Sequence, residues 1–101
     1  MVSKQFKELW VELPNGQSMC ALLNGDLGWL MHCDRTGDVS YHSIAPDFSG
    51  PADRQIDYCL NNGQHDSYPA AWALPSSGIY RAIDYFEHEQ QRPPFIEWSD
   101  D

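Results

Sequence analysis

Two histidines and one cysteine are the residues in this sequence best suited to carry out catalysis. His42 is followed by Ser43, and His65 is followed by Asp66. Either imidazole could activate the thiol of Cys59 as a nucleophile. The spacing matches no nucleophile motif, and the sequence holds neither a glycine-rich phosphate loop nor a nucleophile elbow. We therefore expect that the chain is not an enzyme, and we keep a small enzyme or ligand-binding module with a histidine-based site near His42 and His65 as the alternative.

Cysteine and histidine also raise the question of a metal site. His32 and Cys33 are adjacent and Cys20 lies upstream, but no Cys-x-x-Cys or His-x-x-x-His pair is present and no fourth ligand stands out. Cys20, Cys33 and Cys59 are an odd number of cysteines, which does not suit a secreted disulfide framework. We expect three reduced thiols, no metal and no cofactor.

A second group of residues suits recognition of another protein. Tyrosine and tryptophan are favoured at interfaces because they bury a large area and keep a polar group, and residues 61–66 are too polar for a core. The candidate partner-binding residues are Tyr41, His42, Asp57, Tyr58, Asn61, Asn62, His65, Asp66, Tyr68 and Trp72. Tyr68 is the expected anchor. The alternatives are that Tyr58 and Trp72 are core aromatic residues and that the polar run is a solvated turn.

Net charge narrows the class of partner. Fifteen acidic residues against six basic ones give a formal charge of −9 at pH 7. Nucleic acid and anionic membranes both require a basic surface, so neither is expected to bind this chain directly. A cationic protein is favoured as the partner, with solubility as the alternative explanation of the charge.

Length and composition indicate one globular domain spanning residues 1–101. Hydrophobic residues make up 42% of the chain and charged residues 21%. The longest apolar stretch, residues 27–33, is interrupted by His32 and is far shorter than the roughly 18 residues of a membrane span. Residues 1–10 lack the apolar core of a signal peptide, which predicts a cytoplasmic location.

Short strands are the main elements that must position these residues. Alternating or apolar segments bounded by turn signals predict an antiparallel meander over residues 5–13, 18–23, 28–33 and 39–44. The turns between them are predicted at residues 14–16, 24–26 and 35–38. Trp10 falls with Glu8 and Glu12 on the charged face of the first strand, so we expect that face to be partly covered.

The second half of the chain predicts a further strand and a helix. Residues 45–54 predict a loop, and residues 55–60 a strand with Ile56, Tyr58 and Leu60 on one face. After a turn at residues 61–64, Pro69 makes residues 65–74 an edge strand or an ordered loop. A helix is predicted over residues 76–91, with an apolar stripe of Ile79, Ala82, Ile83 and Phe86.

Prolines after the helix complete the predicted fold. Pro93 and Pro94 end the helix, and residues 95–98 predict a short last strand. The expected class is α+β, with a largely antiparallel sheet of five to seven short strands and one C-terminal helix packed on a face.

The C-terminal half of the chain resembles the type-one immunity family of bacterial polymorphic toxin systems. The resemblance rests on Ala73-Leu74-Pro75, Ile79-Tyr80-Arg81-Ala82, Tyr85-Phe86, Gln91-Arg92-Pro93 and Ile96-Glu97-Trp98. Its pattern is a helix that starts at a proline and ends in a phenylalanine, then an Arg-Pro pair and a strand closing on tryptophan. It covers residues 55–101, and the preceding meander in general shape. The N-terminal helix of some members is missing here.

This resemblance implies a fold and a function. The family has a curved antiparallel sheet with a C-terminal helix, and its members neutralise a cognate toxin, often a nucleic-acid deaminase, inside the producing cell. The family offers no catalytic residues to transfer. A toxin that acts on nucleic acid has a cationic cleft, which a protein of charge −9 could occlude with electrostatically steered association. We therefore predict an immunity protein that binds its toxin as a monomer in a one-to-one complex; a structural or adaptor domain is a further possibility.

Overall fold

The described part of the chain, residues 6–34, 39–46, 48–51 and 53–100 of a computed structural model, contains eight β-strands and one α-helix. The strands are β1 (Phe6–Glu12), β2 (Ser18–Asn24), β3 (Leu27–Cys33), β4 (Ser40–Ile44), β5 (Gln55–Cys59), β6 (His65–Pro69), β7 (Leu74–Pro75) and β8 (Glu97–Asp100). The helix α1 spans Ser76–Glu89, and a short 3₁₀ helix covers Ala70–Trp72. The predicted turn at residues 35–38 lies outside the described residues, as do residue 5 of the first predicted strand and residues 47 and 52 of the predicted loop.

An open antiparallel sheet of six strands forms the middle layer. Its order is β1-β2-β3-β4-β8, and β7 pairs with the part of β3 that β4 leaves uncovered. The predicted α+β class is therefore confirmed, with an antiparallel sheet, one helix among the described residues and a short last strand. β5 and β6 form a separate two-stranded antiparallel sheet, so the fifth strand does not extend the meander.

Tight turns set the register of the meander. Asn24 pairs with Leu27, so Gly25 and Asp26 form a two-residue connection between β2 and β3. Gly25 has a φ of 61°, a left-handed conformation that glycine adopts without steric cost and that two-residue hairpin turns require. Asn24-Gly25 is thus the local reason that β2 and β3 pair along their whole length.

The helix covers one face of the six-stranded sheet. Ile79, Ala82 and Phe86 are each 0% exposed, so the predicted stripe does face the sheet. The shared core on this side consists of Met19, Ala21, Leu23, Leu30, Leu74, Ile79, Ala82 and Phe86, with Trp98 packed against it. Gly28 permits the close approach, because a Cβ atom there would lie 2.8 Å from Cγ1 of Ile79.

The end of α1 differs from the prediction by two residues. Gln90 adopts a left-handed conformation with φ 56° and ψ 38°, and its backbone N–H donates to the carbonyl oxygen of Phe86 at 2.9 Å. The helix therefore stops at Glu89 rather than at residue 91, and the last strand also begins later, at Glu97, after the turn that follows Pro93 and Pro94.

A second layer, which the sequence did not predict, covers the other face of the sheet. The β5–β6 hairpin lies there, and a second core joins the two elements. Its buried members are Cys20, Leu22, Trp29 and Tyr58, with Met31, Ile56, Leu60, Tyr68 and Trp72 packed around them. The predicted alternation of β5 is confirmed, because Tyr58 is buried while Asp57 is exposed.

Replacement of Phe86 tests the helix-side core. We expect Phe86→Ala to lower the free energy of unfolding by about 3–5 kcal/mol, the range for emptying a buried aromatic site, as measured by urea denaturation. Tyr80→Ala is the matched control, because Tyr80 lies on the same helix but is 46% exposed. This control should change stability by about 0.5 kcal/mol or less. Equal losses in the two variants would contradict the placement of Phe86 in the core.

Candidate protein-binding site

The sheet divides the ten predicted partner-binding residues into three groups. Tyr41 lies on the helix side, where it neighbours His32 and Arg92. The second group belongs to the second core or packs beside it, and contains His42, Tyr58, Tyr68 and Trp72. The third group occupies the hairpin and contains Asp57, Asn61, Asn62, His65 and Asp66. The ten residues therefore do not form one surface.

The aromatic group holds the hairpin against the sheet. The rings of Trp29 and Tyr68 are stacked, with centroids 4.4 Å apart and an interplanar angle of 2°. Trp72 stacks in turn on Tyr68 at 6.0 Å and lies 3.8 Å from the ring of His42. Tyr58 is 1% exposed, and its burial raises the pKa of the phenol. Tyr58 is thus a core aromatic residue, and Tyr68 and Trp72 are half-buried.

The hydroxyl of Ser43 fixes the segment after the hairpin to the sheet. This side chain is 0% exposed, donates to the carbonyl oxygen of Trp72 at 2.8 Å and accepts from the backbone N–H of Leu30 at 3.1 Å. The backbone N–H of Ala45 also donates to the carbonyl oxygen of Ala71 at 2.7 Å. Buried polar groups that are paired in this way specify one arrangement of the strands that they join.

The two histidines considered for catalysis lie far apart, with His42 on β4 beneath Trp72 and His65 beside the turn of the hairpin. His42 is 5% exposed beneath Trp72, and its Nδ1 lies 3.0 Å from the carbonyl oxygen of Ser43. His65 is exposed beside the turn, directly opposite Cys59 in the strand register. Within the described ranges, no three His, Cys, Asp or Glu side chains come together as a metal site.

The tip of the hairpin is attached to β1 through Glu8. The backbone N–H of Asn61 donates to Oε1 of this carboxylate at 2.8 Å, and the indole N–H of Trp10 donates to Oε2 at 2.5 Å. Both hydrogen bonds lower the pKa of Glu8, and the hydrogen bond from Trp10 has the larger effect. Asn61, Asn62 and His65 remain exposed, so the tip is a polar surface set beside an exposed tryptophan.

Two carboxylates of the hairpin are held by neighbours on the hairpin itself. The hydroxyl of Ser67 donates to Oδ1 of Asp57 at 2.6 Å, and the side-chain amide of Gln64 donates to Oδ1 of Asp66 at 3.0 Å. The side-chain amide of Asn24 donates to the carbonyl oxygen of Asp57 at 2.9 Å, which joins the hairpin to β2. Asp57 is exposed on the outward face of the hairpin, whereas Asp66 lies opposite Tyr58 in the strand register and is half-buried.

Sequence reasoning missed the role of Glu8 and Trp10 in this surface. Trp10 is 52% exposed, and both side chains belong to the β1 face that the hairpin partly covers. The sequence did carry one indication, which was a tryptophan on a charged strand face. It predicted that another segment partly covers this face, but not which segment does so. The contact between residues 8 and 61 is non-local, and neither segment carries a pattern that points to the other.

Tyr41 is enclosed by a different network on the helix side. His32 is 4% exposed, and its Nε2 lies 2.9 Å from Oε1 of Gln17. The side-chain amide of Gln17 donates to the carbonyl oxygen of Gln90 at 2.9 Å, so Oε1 accepts and Nε2 of His32 carries the proton. The guanidinium of Arg92 lies 4.0 Å from the centroid of the Tyr41 ring. This network joins the end of α1 to β3 and β4.

Protonation of His32 is disfavoured by its surroundings. Burial lowers the pKa of this imidazole, and the positive charge of Arg92 lowers it further, while Asp34 acts in the opposite direction. Nδ1 of His32 has no hydrogen-bond partner among the described residues, so a proton there would be buried without an acceptor.

No family model matches this chain, and no curated protein matches it. Among the described residues, the one α-helix is too short to cross a membrane.

Stability should fall in mild acid because of His32. A histidine whose folded pKa is depressed stabilises the fold above the unfolded pKa of about 6.5, and this contribution is lost as the pH falls through the folded pKa. We expect the stability advantage of the wild type over His32→Gln to shrink from about pH 7.5 to about pH 5, by at most about 1.4 kcal/mol per pH unit.

Urea denaturation at several pH values measures the difference in free energy of unfolding between the wild type and His32→Gln. The pKa of His88 is also raised, but His88 changes the pH dependence of stability equally in both proteins. A difference that stays constant with pH would mean that His32 titrates alike in the folded and unfolded chains.

The thiols should differ in reactivity. Cys20 is 4% exposed, and burial, aided by the charge of Glu8, raises the pKa of its thiol to about 12. We expect a thiol reagent at about pH 8 to modify Cys33 and Cys59 first and to reach Cys20 only on unfolding. Titration of the denatured chain without reductant should find three free thiols. Recovery of one thiol, or equal native rates for all three, would contradict this expectation.

Proposed function

We propose that the protein is an immunity protein that binds and neutralises a cognate bacterial toxin domain. In this proposal the toxin acts on nucleic acid, as deaminase-type toxins do, and the chain blocks it by binding rather than by catalysis. The observation that carries the proposal is the net charge of −9 combined with a polar, acidic hairpin surface held in a fixed position. Such a surface complements a cationic cleft built for nucleic acid.

The residues behind the family resemblance support the proposal, because they form one packed unit. Phe86 is 0% exposed, Pro93 is buried, and Trp98 packs against the same core. The indole N–H of Trp98 donates to the carbonyl oxygen of Pro93 at 3.0 Å. The Arg-Pro pair and the closing tryptophan therefore have a joint structural purpose, which is to return the chain from α1 to the sheet edge at β8.

The hairpin surface is the part of the predicted site that a partner can reach. It exposes Asp57, Asn61, Asn62 and His65, while Tyr68 packs on Trp29 beneath them. Because Tyr68 stabilises the second core, Tyr68→Ala would weaken the fold together with any contact to a partner. The exposed and acidic positions are better tests of binding.

The separation of the two histidines does not favour a shared histidine site, because His42 belongs to β4 and His65 to β6. His42 lies under Trp72, and His65 lies beside the turn.

Co-expression with a toxin tests the proposal directly. The probe is the toxin domain that the proposal expects the adjacent gene to encode, expressed in a bacterial host. We expect the chain to restore growth and to co-purify with the domain in a one-to-one complex. Absence of both protection and binding would reject the proposed function.

Charge at the hairpin should control the rate of association. The double variant Asp57→Asn/Asp66→Asn should associate more slowly with an inactivated toxin domain at low salt, because two steering charges are removed. The difference from the wild type should shrink at high salt, where screening has weakened the attraction. Stopped-flow or surface-based kinetics measure both rates.

The double variant Glu87→Gln/Glu89→Gln is the matched control. Both of its sites are exposed on α1, in the layer on the other face of the sheet, and each double variant changes the net charge from −9 to −7. If the partner contacts the hairpin, the hairpin variant should associate more slowly with the toxin domain than the helix variant does. Equal slowing by both pairs would place the contact away from Asp57 and Asp66.

A further inference from the structure

Trp10 is the most exposed large hydrophobic side chain among the described residues, at 52%. Its indole is nevertheless fixed, because its N–H donates to Oε2 of Glu8, and Oε1 of the same carboxylate accepts from the backbone N–H of Asn61. An exposed aromatic ring in a fixed orientation loses little conformational freedom when it binds. Trp10 is thus prepared as an anchor for a partner.

The charge beside this ring is negative. Side chains alternate along a strand, so Glu8, Trp10 and Glu12 lie on the same face of β1, while Lys7 lies on the other face. The hydrogen bonds from Trp10 and Asn61 lower the pKa of Glu8 and keep its charge next to the indole, and Glu12 is exposed. We call Glu8, Trp10, Glu12 and Asn61 the Trp10 surface.

The end of the sheet beyond the ring remains accessible on this face. Trp10 pairs with Cys20, which is buried in the core under the hairpin together with Leu22 and Trp29, whereas Glu12 pairs with Ser18, which lies outside that core. Ser18 is half-buried rather than buried, so the hairpin does not close the end of the sheet at Glu12. The surface is therefore bounded on one side by the hairpin tip and is open on the other.

We propose that the Trp10 surface is the anchor of the interface with a basic protein partner, in which an arginine or lysine of the partner packs on the indole and pairs with Glu8 or Glu12. This inference rests on the proposed function, because the cationic domain of the toxin is the partner. A guanidinium over a tryptophan face gains both a cation–π contact and, here, two nearby carboxylates. Tryptophan and arginine are also the residues that most often dominate binding energy at interfaces.

Charge also disfavours a second copy of the chain or a nucleic acid as the molecule that binds the Trp10 surface. A second copy of the chain carries the same charge of −9 and would set Glu8 and Glu12 of each copy against an acidic surface. A nucleic acid would meet the same repulsion. A basic protein is the occupant for which both the ring and the carboxylates are favourable.

Affinity for the inactivated toxin domain tests this inference. We expect Trp10→Ala to raise the Kd by about 30-fold or more, the effect of losing an interface hot spot, and Trp10→Phe to raise it less. Tyr80→Ala is the matched control, because Tyr80 is 46% exposed in the layer beyond the other face of the sheet. This control should leave the Kd within about twofold of the wild type.

A charge reversal provides a second test that does not depend on removal of an aromatic ring. Glu12→Lys should slow association and weaken binding, whereas Glu89→Lys, an equal change at an exposed position on α1, should have the smaller effect. Circular dichroism melting curves establish that each variant is folded before its affinity is compared.

The outcomes separate the inference from the proposed function. Wild-type binding that Trp10→Ala and Glu12→Lys leave within twofold would overturn the inference and leave the immunity function standing. A wild type that neither binds nor protects would overturn both. A concentration-dependent dimer that Trp10→Ala abolishes, detected by light scattering, would identify a second copy as the occupant and overturn the inference.

Discussion

Burial of β2 on both of its faces is the constraint on which the rest of the structure depends. Met19 and Leu23 point toward the helix, and Cys20 and Leu22 point toward the hairpin, all at 4% exposure or less. A central strand of this kind requires a cover on each side, because apolar surface left in water costs free energy in proportion to its area. The helix supplies one cover and the hairpin supplies the other, so neither layer is an optional addition to the meander.

Hydrogen bonds at the two ends of the hairpin determine where that second cover lies. At the base, the buried hydroxyl of Ser43 joins Trp72 to the sheet, and at the tip the carboxylate of Glu8 joins Asn61 to β1. The first has a buried hydroxyl as its donor, so it stabilises by satisfying a group that water cannot reach. The second is near solvent and contributes less to stability, but it sets the position of an exposed surface.

Local patterns predicted the elements, whereas non-local contacts decided the layers. The 3.6-residue period of Ile79, Ala82 and Phe86 identified both the helix and its buried face, and Asn24-Gly25 identified a hairpin turn. The alternation of β5 correctly placed Tyr58 on the face opposite Asp57, but alternation cannot say whether that face is buried or which sheet receives it. For that reason the predicted site joined residues that the structure separates, and the neighbour of the hairpin tip was missed.

In the proposed function, stability and recognition use different residues of the same hairpin. The inward residues Tyr58 and Tyr68 hold it to the sheet through Trp29, so substitution there affects the fold and the surface together. The outward and tip residues contribute little burial, so their polarity is not required by the core. A solvated turn needs polar side chains, but it does not need a tryptophan beside it. An indole that is about half exposed to water is less favourable at such a position than a polar side chain. In the proposed interface, the Trp10–Glu8–Asn61 arrangement has two roles: it positions the hairpin tip and it presents the indole to the partner.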